Sequence, residues 1–182
     1  MSVRSDRHDT RRLGRGGGFS LVELMSVVAI AAIVAATAAV KMSSTKSDRS
    51  ASATRLLLHD VAFARQRAVA TGYRSWIDFS TANQWRLLAE DSTHLGRTNA
   101  QVLTDPASGG NFTQAVNTGS FLGVTLTSVN VDGENWIGFD WVGEPLKKTA
   151  ETTPLAADAV FTFSSGQKVT VNKDTGHATY TP

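Results

Sequence analysis

The spacing of apolar and polar residues changes twice along the chain, separating a short leader, a helix in two halves and a β-rich remainder. From Leu24 to Val40 no residue is charged, and only Ser26 and Thr37 are polar. Together with Phe19 to Val22 and Met42, this run is long enough to cross roughly 30 Å of hydrocarbon. The pattern then turns amphipathic. Leu57, Val61, Ala64 and Ala68 recur at i, i+4, i+7 and i+11, with Leu58, Ala62 and Val69 beside them, which is one helical face. Arg55, His59, Arg65 and Arg67 form the polar surround, and Gly72 is a C-terminal stop. No proline lies between Phe19 and Gly72, so a near-continuous helix is predicted. The alternative is a serine-rich loop at 43–52 followed by a separate core helix.

Beyond Gly72 the period becomes two. Tyr73, Ser75, Ile77 and Phe79 alternate with Arg74, Trp76 and Asp78 as a strand, and Trp85 to Ala89 completes a hairpin. Residues 90–120, rich in Gly, Thr, Asn and Ser, read as a long loop with little regular structure. Strand-like runs resume at Phe121 to Val131 and at Trp136 to Val142, and a second irregular stretch runs from Gly143 through Ala157. Ala159 to Phe163, Lys168 to Val171 and a last segment reaching Tyr180 are further strands, joined by turns at Ser165-Gly166 and Lys173 to Gly176. The expected fold is α+β: a long N-terminal α-helix, its first half transmembrane, packed on a C-terminal antiparallel β-sheet head of about six or seven short strands. The expected divisions are a leader at 1–18, a membrane or filament-core half of the helix at 19–42, its amphipathic half at 43–72, and the head at 73–182.

Composition alters this picture in one respect. The 182 residues contain no cysteine, so the fold has neither disulfides nor thiolate metal ligands. The sequence pI of 9.2 suggests a nucleic-acid partner until the charges are located. Five arginines (4, 7, 11, 12 and 15) against Asp6 and Asp9 give residues 1–18 a net of +3 out of the chain's +2, which leaves −1 for residues 19–182. The basicity belongs to the leader. A phosphate-binding surface is therefore not indicated.

Arginines ahead of an apolar run place the N-terminus on the cytoplasmic side of a membrane. Three kinds of export signal fit such a leader. One is an ordinary secretory signal with Ala36-Thr37-Ala38 as its cleavage site. Another is twin-arginine export, from Thr10-Arg11-Arg12. The third involves Glu23. A carboxylate inside an apolar span is costly without a partner, and a discarded signal peptide has no use for one.

The stretch Gly16-Gly17-Gly18-Phe19-Ser20-Leu21-Val22-Glu23-Leu24-Met25 resembles the class III signal of type IV prepilins and type II secretion pseudopilins. The resemblance implies cleavage after Gly18 by a prepilin peptidase, with Phe19 as the new, N-methylated first residue and Glu23 as the fifth. The new α-amino group, positive near neutral pH, is then a partner for Glu23 of a neighbouring subunit. The helix N-terminus also favours a negative charge in its first turn. Many members of the family carry a proline shortly after the apolar run; here the chain reads Ala39-Val40-Lys41-Met42, so no kink is implied there.

Further segments are similar to the H-type minor pseudopilin group (GspH/FimT): the Leu56-Leu57-Leu58 helix ending at Gly72, the Trp-bearing hairpin, Phe139 to Leu146, and Val169 to Ala178. What this implies is a pilin-like fold and a non-enzymatic subunit at or near the tip of a periplasmic filament, aiding its assembly in protein secretion. The implied partners are other pilin or pseudopilin subunits and, before assembly, inner-membrane lipid. A FimT-like minor pilin that captures DNA is the alternative, but its expected basic C-terminal end is absent, with no arginine after Arg97. A soluble domain exported by either of the other signals is the third reading.

Catalytic patterns are weak. Asp174-Thr175-Gly176 occurs once, where aspartic-protease chemistry needs two facing copies, and it reads as a hairpin turn. Ser43-Ser44-Thr45-Lys46 satisfies Ser-x-x-Lys but lacks a Lys-Thr-Gly companion. His8, His59, His94 and His177 share no ligand spacing; His59 is expected on the helix surface and His177 on a strand. Asp132, Glu134 and Asp140 lack the spacing of a calcium loop. Trp76, Trp85, Trp136 and Trp141 are expected on strands, in the core or at subunit contacts. No catalytic residue, metal site, DNA-binding residue or cofactor is predicted.

Overall fold

The computed structural model describes residues 20–147 and 153–182, the side chains of 37–44 and of 147 excepted. One helix, α1, runs from Leu21 to Thr71. The serine-rich stretch at 43–52 is therefore helix, not loop. Polar residues are tolerated there and beyond because their hydroxyls donate back to carbonyls one turn earlier: Ser52 to Asp48 at 3.0 Å and Thr54 to Ser50 at 2.7 Å. Gly72 ends the helix in the left-handed region, at φ 71°, with its N–H donating to the Ala68 carbonyl at 3.0 Å. The chain divides into two compact units, Met1–Lys41 and Met42–Pro182.

In the second unit the polypeptide builds two antiparallel sheets. The larger contains β1 (Ser75–Asp78), β2 (Gln84–Ala89), β3 (Gln101–Val102), β4 (Thr113–Ala115), β6 (Trp136–Phe139), β7 (Pro145–Lys147) and β8 (Thr153–Pro154). Its order is β3-β2-β1-β6-β7-β8, and β4 also pairs with β2. The smaller sheet has the order β11-β10-β9-β5, from β5 (Leu126–Asn130), β9 (Ala159–Phe163), β10 (Lys168–Val171) and β11 (Ala178–Thr181). The α+β expectation holds, with two sheets in place of one.

Several local expectations are corrected. The 90–120 loop contributes β3 and β4, and the irregular 143–157 stretch contributes β7 and β8. These strands have two or three residues each, too few to register a period of two. Phe121 sits in a 3₁₀ turn, Gly119–Phe121, and not at the start of a strand. The strand from Trp136 ends at Phe139 because Asp140 caps a turn: its Oδ1 accepts from Val142 N at 3.0 Å and Glu144 N at 2.9 Å. That turn takes Trp141 off the strand and leaves it 59% exposed, so of the two places expected for it, core or subunit contact, the core is excluded. His177 lies in the connection before β11, one residue short of the strand. Asp174-Thr175-Gly176 does form a hairpin turn, fastened by Asn172 Oδ1, which accepts from the N–H groups of Asp174 and Thr175.

A single core lies between α1 and the two sheets. Ala53, Leu57, Val61, Ala64 and Ala68 face Trp85, Leu87, Phe139, Phe161 and Val169, all buried. Ala62 and Val69 are exposed instead, because the buried stripe turns toward Ser50, Ala53 and Thr54. β1 is buried on both faces. Ile77 joins the main core, while Trp76 joins Leu88 and Trp136 in a smaller cluster on the opposite face. Ala100 and Val102 pack on that cluster. Glu90 holds the covering segment: one carboxylate oxygen accepts from Arg74 N (2.9 Å) and Nε (3.1 Å), the other from Gly96 N (2.9 Å).

Candidate functional site

The two stretches of α1 offer different chemistry. At its start, Leu21, Val22, Leu24, Met25, Val27, Val28, Ile30, Ile33 and Val34 are all exposed, from 60% to 74%. Apolar side chains on every face of a helix leave no side that prefers water, so such a segment is made to be buried in something. Glu23 is the acidic residue of the first turn. It lines a shallow apolar groove with Leu24, Val27 and Val28, and its carbonyl accepts from Ser26 Oγ at 2.9 Å. Gly18 and Phe19, the residues expected at the cut, lie outside the described residues. So do the side chains of 37–42 within the expected span, and among the described residues no helix is long and apolar enough to cross a membrane.

Further along α1, Asp60 escapes pattern reading. It is 1% exposed and points from the apolar stripe into the core, where its Oδ2 accepts from Trp85 Nε1 at 2.8 Å. Burial pushes its pKa up from 3.8 to about 6, against the lowering effect of the Trp85 hydrogen bond and of neighbouring His59. The sequence does hold a signal. An aspartate three residues after Leu57 and one before Val61 stands inside the apolar face. Other contacts fasten α1 to the head. Ser75 Oγ donates to the Ala64 carbonyl at 2.5 Å, and Ser50 and Ser165 share a hydroxyl hydrogen bond. Arg65 Nε donates to the Gly143 carbonyl at 3.1 Å.

Two further perturbed carboxylates, Asp78 and Glu90, are held by hydrogen bonds within the head. Burial raises Asp78, but hydrogen bonds from Ser80 and Arg86 outweigh it and bring the group below its ordinary value. The Arg86 Nη2–Asp78 Oδ2 distance is 2.7 Å. Glu90 is likewise lowered, its burial outweighed by the Arg74 and Gly96 N–H groups. His59 lies on the helix surface, with its side chain 78% exposed. Among the described residues no group of three or more His, Cys, Asp or Glu side chains is arranged to hold a metal ion.

A glycine-rich approach, an abrupt apolar run and one carboxylate near its start are matched as a unit by a family model spanning residues 15–39, described as the prokaryotic N-terminal methylation motif. The chain carries that N-terminal methylation motif. The match covers both Gly18 and Phe19, and it encloses the exposed start of α1 together with Glu23. No curated protein matches the chain. Among solved structures, it is similar to the minor pseudopilin EpsH from the Type 2 Secretion System of Vibrio cholerae. That likeness has 10% sequence identity and a TM-score of 0.49, over 73% of this chain and 96% of that one.

Proposed function

We propose that this chain is a minor pilin or pseudopilin subunit, structural and not catalytic. A prepilin peptidase cuts after Gly18 and Phe19 becomes the N-methylated first residue. Until assembly, the apolar start of α1 rests in the inner membrane, with the N-terminus cytoplasmic and the head periplasmic. The subunit then enters a short periplasmic filament of other pilin-type subunits, at or near its tip, and helps that filament form during protein secretion. The single observation that carries this reading is the methylation motif at 15–39. The fully apolar, exposed segment that follows it supports the same reading, because a filament core of stacked helices covers every face of such a segment.

Glu23 has a defined task in this scheme. In a water-poor helix stack its carboxylate pairs with the Phe19 amine of a neighbour, setting the register between subunits. Intact-mass and N-terminal peptide analysis of the membrane form tests the processing step. The expected first residue is methylated Phe19; a chain that begins anywhere else overturns the proposal.

A further inference from the structure

Strand β11 forms an outer edge of the four-stranded sheet and, among the described residues, pairs only with β10. Antiparallel pairing sends alternate residues' N–H and C=O groups to opposite sides of a strand. Phe163 N donates to the Gln167 carbonyl, so Gln167, Val169 and Val171 turn their backbone groups toward β9. Asn172 N donates to the His177 carbonyl, which likewise places His177, Thr179 and Thr181 as the residues bonded to β10. Ala178 and Tyr180 therefore direct their N–H and C=O groups outward, along the open edge.

The other edges are blunted in the ways sheets commonly use. β8 ends in Pro154, β3 and β4 have only two and three residues, and β5 carries a register shift between Leu126 and Ser128. β11 reads Ala-Thr-Tyr-Thr, with no charge, proline or bulge. Beside it lies a cavity of about 250 Å³ lined by Leu58, Ala62, Arg65, Gly176, His177 and Ala178. Leu58, Ala62 and Ala178 make one wall apolar. Arg65 lines the cavity, no carboxylate does, and the Arg55 guanidinium lies 5.8 Å from the Tyr180 ring centre.

We propose that this edge and cavity dock an extended segment of a partner protein, added to β11 as a further antiparallel or parallel strand. Every second side chain of the segment then lies over α1. The cavity takes an apolar one, and Arg55 and Arg65 face an acidic one next to it. Backbone pairing supplies the affinity and the two side-chain preferences supply the specificity. The proposal goes beyond the assembly role and does not depend on it, since it concerns the head and the amphipathic half of α1.

The test uses the full chain in detergent micelles and a short synthetic peptide, Val-Thr-Glu-Thr-Val-Thr-Glu, in which valine and glutamate share one face of the strand and threonine the other. Amide hydrogen exchange is followed at Ala178 and Tyr180. Saturable slowing of both amides, on the order of tenfold or more, is the expected result. A peptide with lysine in place of glutamate should bind more weakly, and Arg55→Glu should reverse that preference. Tyr180→Pro removes an outward N–H at an edge position where proline is tolerated, and should abolish the protection. If that variant unfolds, Ala62→Glu, which places a carboxylate at the cavity wall, should weaken the glutamate peptide instead. No saturable protection, or protection indifferent to these substitutions, overturns the proposal. So does displacement of the peptide by a single-stranded oligonucleotide that binds the edge more tightly.

Discussion

The two stretches of α1 are both rich in small and branched apolar residues, yet they have opposite fates. From Leu21 to Val34 the apolar residues point in every direction and all of them are exposed. From Ser50 to Ala68 most of them fall on one stripe, with Ala62 outside it, and that stripe is sealed against two sheets. The difference lies in spacing, not in overall apolarity. A stripe can be satisfied by the chain's own head, whereas a helix apolar all round needs partners from outside. Each stretch also places one acid among its apolar residues. Asp60 finds a donor inside the chain, Trp85 Nε1. For Glu23 the partner proposed is a neighbour's amine.

Truncation should separate the two stretches most sharply. Leu57 is fully buried, so Leu57→Ala should cost about 3 kcal/mol of head stability through lost burial and the cavity left behind. Leu24→Ala, at a 60% exposed site, should stay within about 0.5 kcal/mol. Denaturant unfolding followed by tryptophan fluorescence reports on the head, where Trp76, Trp85 and Trp136 are buried. Equal losses from the two substitutions would erase the contrast.

Asp60 gives the next largest effect, and it depends on pH. Its pKa is raised in the folded state, so its contribution is fully present below its unfolded value near 3.8 and is lost as pH rises through about 6. A rise from 3.8 to about 6 withholds roughly 3 kcal/mol from the folded state at neutral pH. Asp60→Asn keeps an acceptor for Trp85 Nε1 without the charge. It should therefore be more stable than the parent above about pH 7, by up to that amount, and indistinguishable from it near pH 4. Asp78 and Glu90 act with the opposite sign. Their lowered values hold stability above the unfolded carboxylate range and release it on acidification. A parent-minus-variant difference that does not change across this window would show that burial leaves the pKa of Asp60 where it is in the unfolded chain.

How much of this is legible in the sequence follows from how each element is specified. α1 and its stop at Gly72 can be read from periodicity and a missing proline, and Ala159 to Phe163 and Lys168 to Val171 from alternation alone. β1 departs from simple alternation because loop 90–102 covers its outer face, a long-range fact that no local pattern carries. β3, β4, β7 and β8 are fixed by the strands they pair with and hold too few residues to announce themselves. Trp141 reads as strand from its aromatic neighbours, but Asp140 turns the chain one residue earlier. Of the candidate site, Glu23 stands out as the lone charge in an apolar run. Asp60 is marked only by its place inside the apolar face, and its donor, Trp85, comes from a strand that no local pattern ties to the helix.

A smaller loss is expected where the head closes over the C-terminal part of α1. Gly143 sits at φ 88°, and an added Cβ would lie 3.0 Å from Val69 Cγ2 and 3.1 Å from Arg65 Nε. Gly143→Ala should cost about 1–2 kcal/mol through left-handed strain and displacement of the Arg65 hydrogen bond. Gly133, also at positive φ but with open space around it, is the control that isolates the backbone share.

The smallest effect on stability should come from the residue to which the proposal gives the largest effect on assembly. Glu23 is exposed on a stretch that contributes nothing to the head's core, so Glu23→Ala should leave the unfolding midpoint unchanged within about 0.5 kcal/mol. The proposed cut after Gly18 should also persist, since it lies five residues upstream. Incorporation beside other subunits should fall, because each junction then buries an α-amino group without its counter-charge. Glu23→Gln keeps the shape and a hydrogen-bond acceptor but not the charge, and should resemble the alanine variant. Recovery of filament-associated subunit, measured against total processed subunit, distinguishes the cases. If alanine and glutamine variants both assemble like the parent, charge pairing at Glu23 is not what sets the register. If glutamine rescues what alanine loses, a hydrogen bond is enough, and the apolar stretch tolerates its acid for geometry more than for charge.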